Sequence, residues 1–309
     1  MRKEKVLIVD EVHASMAEGL RALGYEVVER TDISASEIPV SLATFQGLLI
    51  RSKTKLTAEV LAHAPDLRFI ARAGAGLDLI DLDYCASKNI AVFSANEGNK
   101  DAVAEHVAGQ LLVLAHKLNT ADAEVREGVW RREANRGWEI SGKTIGIIGY
   151  GNMGRAFAQR LRGFDVNILA YDKYRPADEH PASLQDIFDQ ADIVSLHVPL
   201  TDETRRMVNE EFLGQFKKPI VLLNSSRGPI SPLAPLLAAM QSGKLKGLAL
   251  DVLPNEKLST WTAEEKALFD ALKSFPSTVF SPHVAGWTTE SYAKINQVLL
   301  EKIKAHFKR

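Results

Sequence analysis

Short apolar, β-branched runs alternate with amphipathic stretches along almost the whole chain, and this alternation restricts the fold more than any other feature. The first series is "VLIV" 6–9, "YEVV" 25–28, "GLLI" 47–50, "RFIA" 68–71 and "IAVF" 90–93. A second series follows: "TIGIIG" 144–149, "NILAY" 167–171, "DIVSL" 192–196, "IVLLN" 220–224, "LALDV" 248–252 and "TVFS" 278–281. A strand that is apolar on both faces must be covered on both faces, and helical crossovers between parallel strands provide that cover. The pattern therefore predicts an α/β protein with two doubly wound parallel sheets. Between the two series, Val103, Val107, Leu111, Leu114 and Leu118 recur at helical spacing and predict a helix over 101–119 that joins the two units. Tyr292, Ile295, Leu299, Ile303 and Phe307 form a second stripe near the end of the sequence.

A length of 309 residues suits about two domains, and 46% hydrophobic with 25% charged residues is an ordinary globular composition. The formal net charge of −1 offers no overall basic field for nucleic acid or an acidic membrane. The apolar run in "MRKEKVLIVD" stops at Asp10, too short for a secretory signal, and every longer apolar stretch is interrupted, as "VAGQLLVLAH" is by Gln110 and His116. Cys85 is the only cysteine, so neither an intrachain disulfide nor a thiolate metal cluster is expected, and a reducing cytoplasm fits. Cys85 itself reads as a small buried apolar residue.

In "IGIIGYGNMG" the glycines Gly149, Gly151 and Gly154 follow an apolar strand and open a helix at about Asn152. Gly149 permits a tight turn, Gly151 lets a pyrophosphate approach the backbone, and Gly154 allows helix and strand to pack closely. The helix N-terminus adds unpaired N–H groups and partial positive charge. Asp172 ends the next strand, where a carboxylate accepts hydrogen bonds from ribose hydroxyls and repels a 2′-phosphate. The expected cofactor is NAD, although Lys173 and Arg175 follow directly and are able to tolerate a phosphate.

Further strand ends carry polar residues: Arg227 in "LLNSSRGP", Asp251 and Glu256 in "LALDVLPNE", and His283 in "SPHVAG". Taken singly, each has a plainer use as a loop residue, a solvated charge or a strand cap. In an open parallel sheet, however, the C-terminal strand ends converge on the ligand crevice, which makes these residues candidates for one site. The stretches "GYGNMG", "LHVPLTDET", "NSSRGP", "LDVLPNE" and "PHVAGWT" occur in the order found in the D-isomer-specific 2-hydroxyacid dehydrogenases, which the chain resembles over essentially its whole length.

That resemblance implies a catalytic set of Arg227, Glu256 and His283. Arginine grips the substrate carboxylate and polarises the neighbouring carbonyl, histidine exchanges the proton, and glutamate holds the ring. Cofactor contacts are expected at Gly149, Gly151, Asn152, Met153, Gly154, Asp172, His197, Pro199, Thr204, Ser226, Asp251 and Gly286. It further implies a Rossmann cofactor domain, 100–284, inserted into a flavodoxin-like substrate domain split between 1–99 and 285–309, and a homodimer formed through the cofactor domain. No metal is expected.

Within the family, "RSKTKLT" 51–57, "RAGAGLD" 72–78 and "NEGNKDAVAEH" 96–106 most resemble the phosphoglycerate dehydrogenase branch. Arg51, Ser52 and Arg72 then face a phosphorylated substrate, and the backbone N–H groups of Gly74, Ala75 and Gly76 hold its carboxylate, beside Arg227 and His283. The sequence stops at Arg309 without the regulatory domain of longer members, so feedback through such a domain is not expected. Two residues depart from that branch: Trp287 looks more like glyoxylate or hydroxypyruvate reductases, and Lys257 stands where proline is usual. A reductase for small unphosphorylated 2-keto acids is the alternative activity. A NAD-sensing corepressor-like binding module is the non-enzyme alternative, and a methyltransferase would leave the His–Glu–Arg set without a role.

Overall fold

Both sheets are parallel throughout, as the continuous apolar runs require. The computed structural model describes residues 3–308. The chain divides into two compact units, one formed by Met1–Lys100 with Trp287–Arg309 and the other by Asp101–Gly286.

In the first unit, β1 (Lys5–Ile8), β2 (Glu26–Glu29), β3 (Gly47–Ile50), β4 (Phe69–Arg72) and β5 (Ala91–Ser94) lie in the order β2-β1-β3-β4-β5, the flavodoxin-like arrangement. β3 is buried along its whole length. The helix Thr289–Phe307 covers one face of this sheet, burying Ile295, Leu299 and Ile303 with Val6, Ile8, Leu49 and Ala71. Thr288 starts it with a reciprocal cap to Ser291. The buried Asn296 donates to the His13 carbonyl at 2.8 Å, tying the helix to the loop after β1. Phe69 is the aromatic hub: its ring centroid lies 5.7 Å from Tyr25, 6.3 Å from Phe93 and 5.5 Å from Phe307. A side chain at Gly47 would strike the Phe69 ring, so glycine is needed opposite it. Cys85 is buried in the core, and desolvation, reinforced by Asp81, pushes its thiol up to about 11.

The second unit contains β6 (Thr144–Ile148), β7 (Asn167–Tyr171), β8 (Ile193–Leu196), β9 (Ile220–Asn224), β10 (Leu245–Leu250) and β11 (Thr278–Phe280), in the order β11-β10-β9-β8-β6-β7. Outside β7 a further neighbour is reduced to one bridge, Ala170 to Pro181. The chain runs from β6 outward to β7 and then crosses back to β8, so the switch point lies at the C-terminal ends of β6 and β8. Among the described residues no helix is long and apolar enough to cross a membrane, and no group of three or more His, Cys, Asp or Glu side chains is arranged to hold a metal ion.

The helix expected over 101–119 departs from expectation at its end. It runs from Lys100 to His116 and stops because Lys117 turns left-handed, with φ 51°, before a second helix, Leu118–Arg126. The returning chain explains the break: Trp138 N–H donates to the Ala115 carbonyl at 2.9 Å, and Gly137 lies too close to that carbonyl to carry a side chain. Val103, Val107, Leu111 and Leu114 are buried as the periodicity implies, whereas Leu118 is 51% exposed.

Phe69→Ala should destabilise the first unit by about 3–5 kcal/mol, the usual range for emptying a large aromatic site. Urea unfolding followed by a probe in that unit checks it, and an unchanged midpoint would deny Phe69 its central place.

Candidate active site

At the switch point the three glycines have three different physical reasons. Gly149 has φ 92°, and a side chain on it would lie 2.5 Å from the His197 carbonyl. A side chain on Gly154 would collide with the Gly149 carbonyl, so glycine lets the helix Asn152–Leu161 sit directly on the turn. A side chain on Gly151 would meet nothing within 4 Å. Gly151 is also the N-cap and provides no side-chain hydrogen bond to the helix, so the first-turn N–H groups stand over open space. That cradle, where a Cβ would intrude only on a ligand, fits a pyrophosphate.

Asp172 follows β7. One of its oxygens accepts from Tyr150 N at 2.9 Å and the other from Tyr174 N at 3.0 Å and Arg175 N at 3.1 Å, which ties the glycine turn to the end of β7. Lys173 pairs with Glu203 at 2.5 Å. His197, directly after β8, packs on Phe157 with ring centroids 5.5 Å apart, and its Nε2 lies 2.9 Å from Ser195 Oγ. Burial holds its imidazole down at about 4, so the ring is neutral near pH 7. Thr204 Oγ1 donates to the Pro199 carbonyl at 2.6 Å and closes the turn that follows. Met153 packs against the core, behind the helix start made by Asn152.

The loop after β9 is organised by Asn224, which is wholly buried. Its amide donates to the Arg227 carbonyl at 3.1 Å and to Ser231 Oγ at 2.6 Å, while its oxygen accepts from Ser226 N at 2.9 Å and Ser226 Oγ at 2.7 Å. Gly228 lies so close to the Leu253 carbonyl that any side chain would collide, and this contact brings the Arg227 loop against the loop that carries Glu256. His283 Nδ1 lies 2.9 Å from Glu256 Oε2, and each side chain is 45% exposed. His283 has φ 54°, a left-handed conformation that costs a non-glycine residue about 1–2 kcal/mol.

Asp251 provides the restraint. Its carbonyl accepts His283 N–H at 2.7 Å, Oδ1 accepts Val284 N–H at 2.9 Å, and Oδ2 accepts Ala285 N–H at 2.8 Å. The sequence reading places Asp251 among the cofactor contacts, but its side chain is 0% exposed and both oxygens are engaged within the chain. It fastens the His283 turn, and Gly286 leaves that turn as its last residue.

In the first unit Asp10, just beyond β1, anchors a loop in the same way. Its Oδ2 accepts the N–H groups of Arg51 at 2.6 Å, Ser52 at 3.1 Å and Lys53 at 3.2 Å. The Arg51 guanidinium lies over the Trp287 ring, 3.8 Å from its centroid. Arg72 ends β4, with its guanidinium against Gly74, whose φ of 153° and missing Cβ make room for it. Gly74 N–H is taken by the Arg72 carbonyl at 2.8 Å, which removes one of the three donors expected at 74–76 and leaves Ala75 and Gly76.

Residues 108–285, more than half of the chain, match the family described as D-isomer specific 2-hydroxyacid dehydrogenase, NAD binding domain. The chain belongs to that family. Similarity extends through both units: D-3-phosphoglycerate dehydrogenase 2 of Saccharomyces cerevisiae is 32% identical over 306 residues, 94% of this chain and 64% of the yeast protein. The chain therefore spans just under two thirds of that relative's length. The hydroxypyruvate reductase of Thermotoga maritima is 35% identical over 259 residues, 83% of each chain. Among solved structures, D-lactate dehydrogenase from Aquifex aeolicus, in complex with NAD and lactic acid, aligns with a TM-score of 0.85 and 27% identity, covering 99% of this chain and 96% of that one. The Asn152–Leu161 helix and its glycine turn lie within the stretch that matches this NAD-binding domain.

Asn224, Asp10, Ser281 and His106 are structural partners that sequence reasoning does not single out. The signal for Asp10, Asn224 and Ser281 is a polar residue at the end of an apolar run, as in "VLIVD", "IVLLN" and "TVFS", whereas His106, inside the helix Lys100–His116, carries none.

Gly151→Ala and Gly154→Ala should separate binding from folding. Gly151→Ala has room, so thermal unfolding stays unchanged while NADH binding weakens by roughly tenfold or more, about 1.4 kcal/mol. Gly154→Ala should lower both, and equal NADH affinity in Gly151→Ala and the unmodified chain would remove the pyrophosphate from this turn.

Proposed function

We propose that the chain is an NAD-dependent D-2-hydroxyacid dehydrogenase acting on 3-phosphoglycerate and 3-phosphohydroxypyruvate in serine biosynthesis. The observation that carries the reaction class is the His283–Glu256 pair at 2.9 Å, with the loop that carries Glu256 packed at Gly228 against the loop that carries Arg227. Bound NAD supplies the hydride chemistry. His283 gives a proton to the keto oxygen during reduction and removes it during oxidation. Glu256 fixes the ring through Nδ1, leaving Nε2 for the substrate, and Arg227 binds the carboxylate and polarises the carbonyl beside it. Asp172 and the pairing of Lys173 with Glu203 support NAD over NADP.

The phosphorylated substrate is supported by Arg51 and Arg72 at the ends of β3 and β4, and by the similarity to phosphoglycerate dehydrogenases. A second activity, reduction of hydroxypyruvate or glyoxylate, is favoured by one observation: Trp287 covers a face of the Arg51 guanidinium. NADH absorbance followed with 3-phosphohydroxypyruvate, hydroxypyruvate and glyoxylate decides between them, each repeated with NADPH. Preference for the phosphorylated ketone, lost in Arg51→Ala or Arg72→Ala, is the expected result; preference for the small acids favours the second reading, and no turnover of any contradicts both.

The assembly we propose is a homodimer, in the cytoplasm, which the single buried cysteine suits. The helix Leu118–Arg126 buries none of its residues, and Leu118, Val125, Val129 and Trp130 are 51%, 52%, 37% and 77% exposed. Trp130→Glu should convert the dimer to monomer in light scattering, and an unchanged mass would move the interface elsewhere.

Glu256→Gln should slow turnover roughly ten- to hundredfold by loosening the His283 ring that the carboxylate holds at 2.9 Å, with NADH affinity unchanged. A turnover equal to that of the unmodified chain would remove Glu256 from this role.

A further inference from the structure

Beneath the His283 turn lies a polar cluster that the reaction above does not use. Ser281 Oγ is 2.6 Å from Asp251 Oδ1, 2.9 Å from His106 Nε2 and 2.9 Å from Gln110 Nε2. His106 and Gln110 stand one turn apart on the helix Lys100–His116 and so share a face. A serine hydroxyl has a single proton, and 2.6 Å is the length of a charge-assisted O–H···O bond, so that proton belongs to the Asp251 carboxylate. Ser281 then offers only lone pairs to its other two neighbours. Gln110 must donate through its amide and His106 through Nε2–H, which also lies 3.6 Å from Asp251 Oδ1.

We propose that His106, together with Gln110, is a positioning residue for the reaction. Acting through Ser281, it holds the Asp251 carboxylate in the orientation that pins Val284 and Ala285 and thereby keeps His283 left-handed with Nδ1 on Glu256. The inference rests on the dehydrogenase reading, and His106 itself touches no reacting atom. A carboxylate that lacks this hydroxyl rotates about its terminal bond and gives up one of its two N–H partners. The left-handed strain at His283 then relaxes against weaker restraint, and the proton donor drifts from the substrate oxygen.

The test uses His106→Leu, Ser281→Ala and His106→Gln in the full chain, the last placing an amide N–H near the position of Nε2. Hydrogen exchange at Val284 and Ala285 should accelerate about tenfold in the first two variants, a shift of ~1.4 kcal/mol in local opening, and return toward the original in His106→Gln. Turnover should fall roughly ten- to hundredfold, the usual cost of a misplaced catalytic group, while NADH affinity stays within about a factor of two. Ser281→Ala removes a single oxygen atom and keeps the test valid if His106→Leu fails to fold. Unchanged exchange in both His106→Leu and Ser281→Ala overturns the proposal, as does faster exchange with undiminished turnover, or a His106→Gln no better than His106→Leu. If the unmodified chain reduces none of the keto acids, the dehydrogenase reading fails, and the exchange rates still decide whether His106 holds the turn.

Discussion

A carboxylate removed from water carries a desolvation cost of several kcal/mol unless its oxygens are fully occupied, and Asp251 is in that position at the end of β10. It meets the requirement with two backbone N–H groups and one hydroxyl, all taken from residues 281–285. The need to satisfy a buried charge and the need to hold His283 in a strained conformation are therefore met by the same bonds. Either alone would be unfavourable, and together they give the turn one stable form.

The same device recurs at other strand ends. Asp10 gathers the N–H groups of 51–53, Asp172 joins the glycine turn to residues 174 and 175, and Asn224 knits 226, 227 and 231 together. In each case a polar residue at the end of an apolar strand, or one or two residues beyond it, fixes the loop that presents the residues with chemistry. Parallel sheets favour this arrangement, because their strands all finish on one side and the loops there need anchoring without further secondary structure. Close glycine contacts complete it: Gly149 against His197, Gly154 against Gly149, and Gly228 against Leu253.

Much of this was legible in the sequence. Continuous apolar runs locate the strands because a doubly covered sheet requires them, and Gly149 and Gly154 each answer a local steric demand while Gly151 leaves the helix start open. His283, Glu256 and Arg227 stand out as polar residues after apolar runs. What was not legible depends on contacts distant in sequence. The end of the helix at Lys117 is set by Trp138, and the inward turn of Asp251 by residues 281–285. Asp251 and Glu256 look alike as strand-end acids, and only burial separates the one that holds the turn from the one that faces solvent.

The central claim is that the His283 turn delivers the proton while the glycine turn holds the cofactor. Rapid mixing of His283→Ala with NADH and the keto acid that the unmodified chain reduces fastest tests it most directly. NADH should bind as tightly as before, with the chemical step slowed by about 10²–10⁴-fold, the usual contribution of a positioned general acid. A chemical step within a few-fold of the unmodified rate would contradict the account and place the proton donor elsewhere.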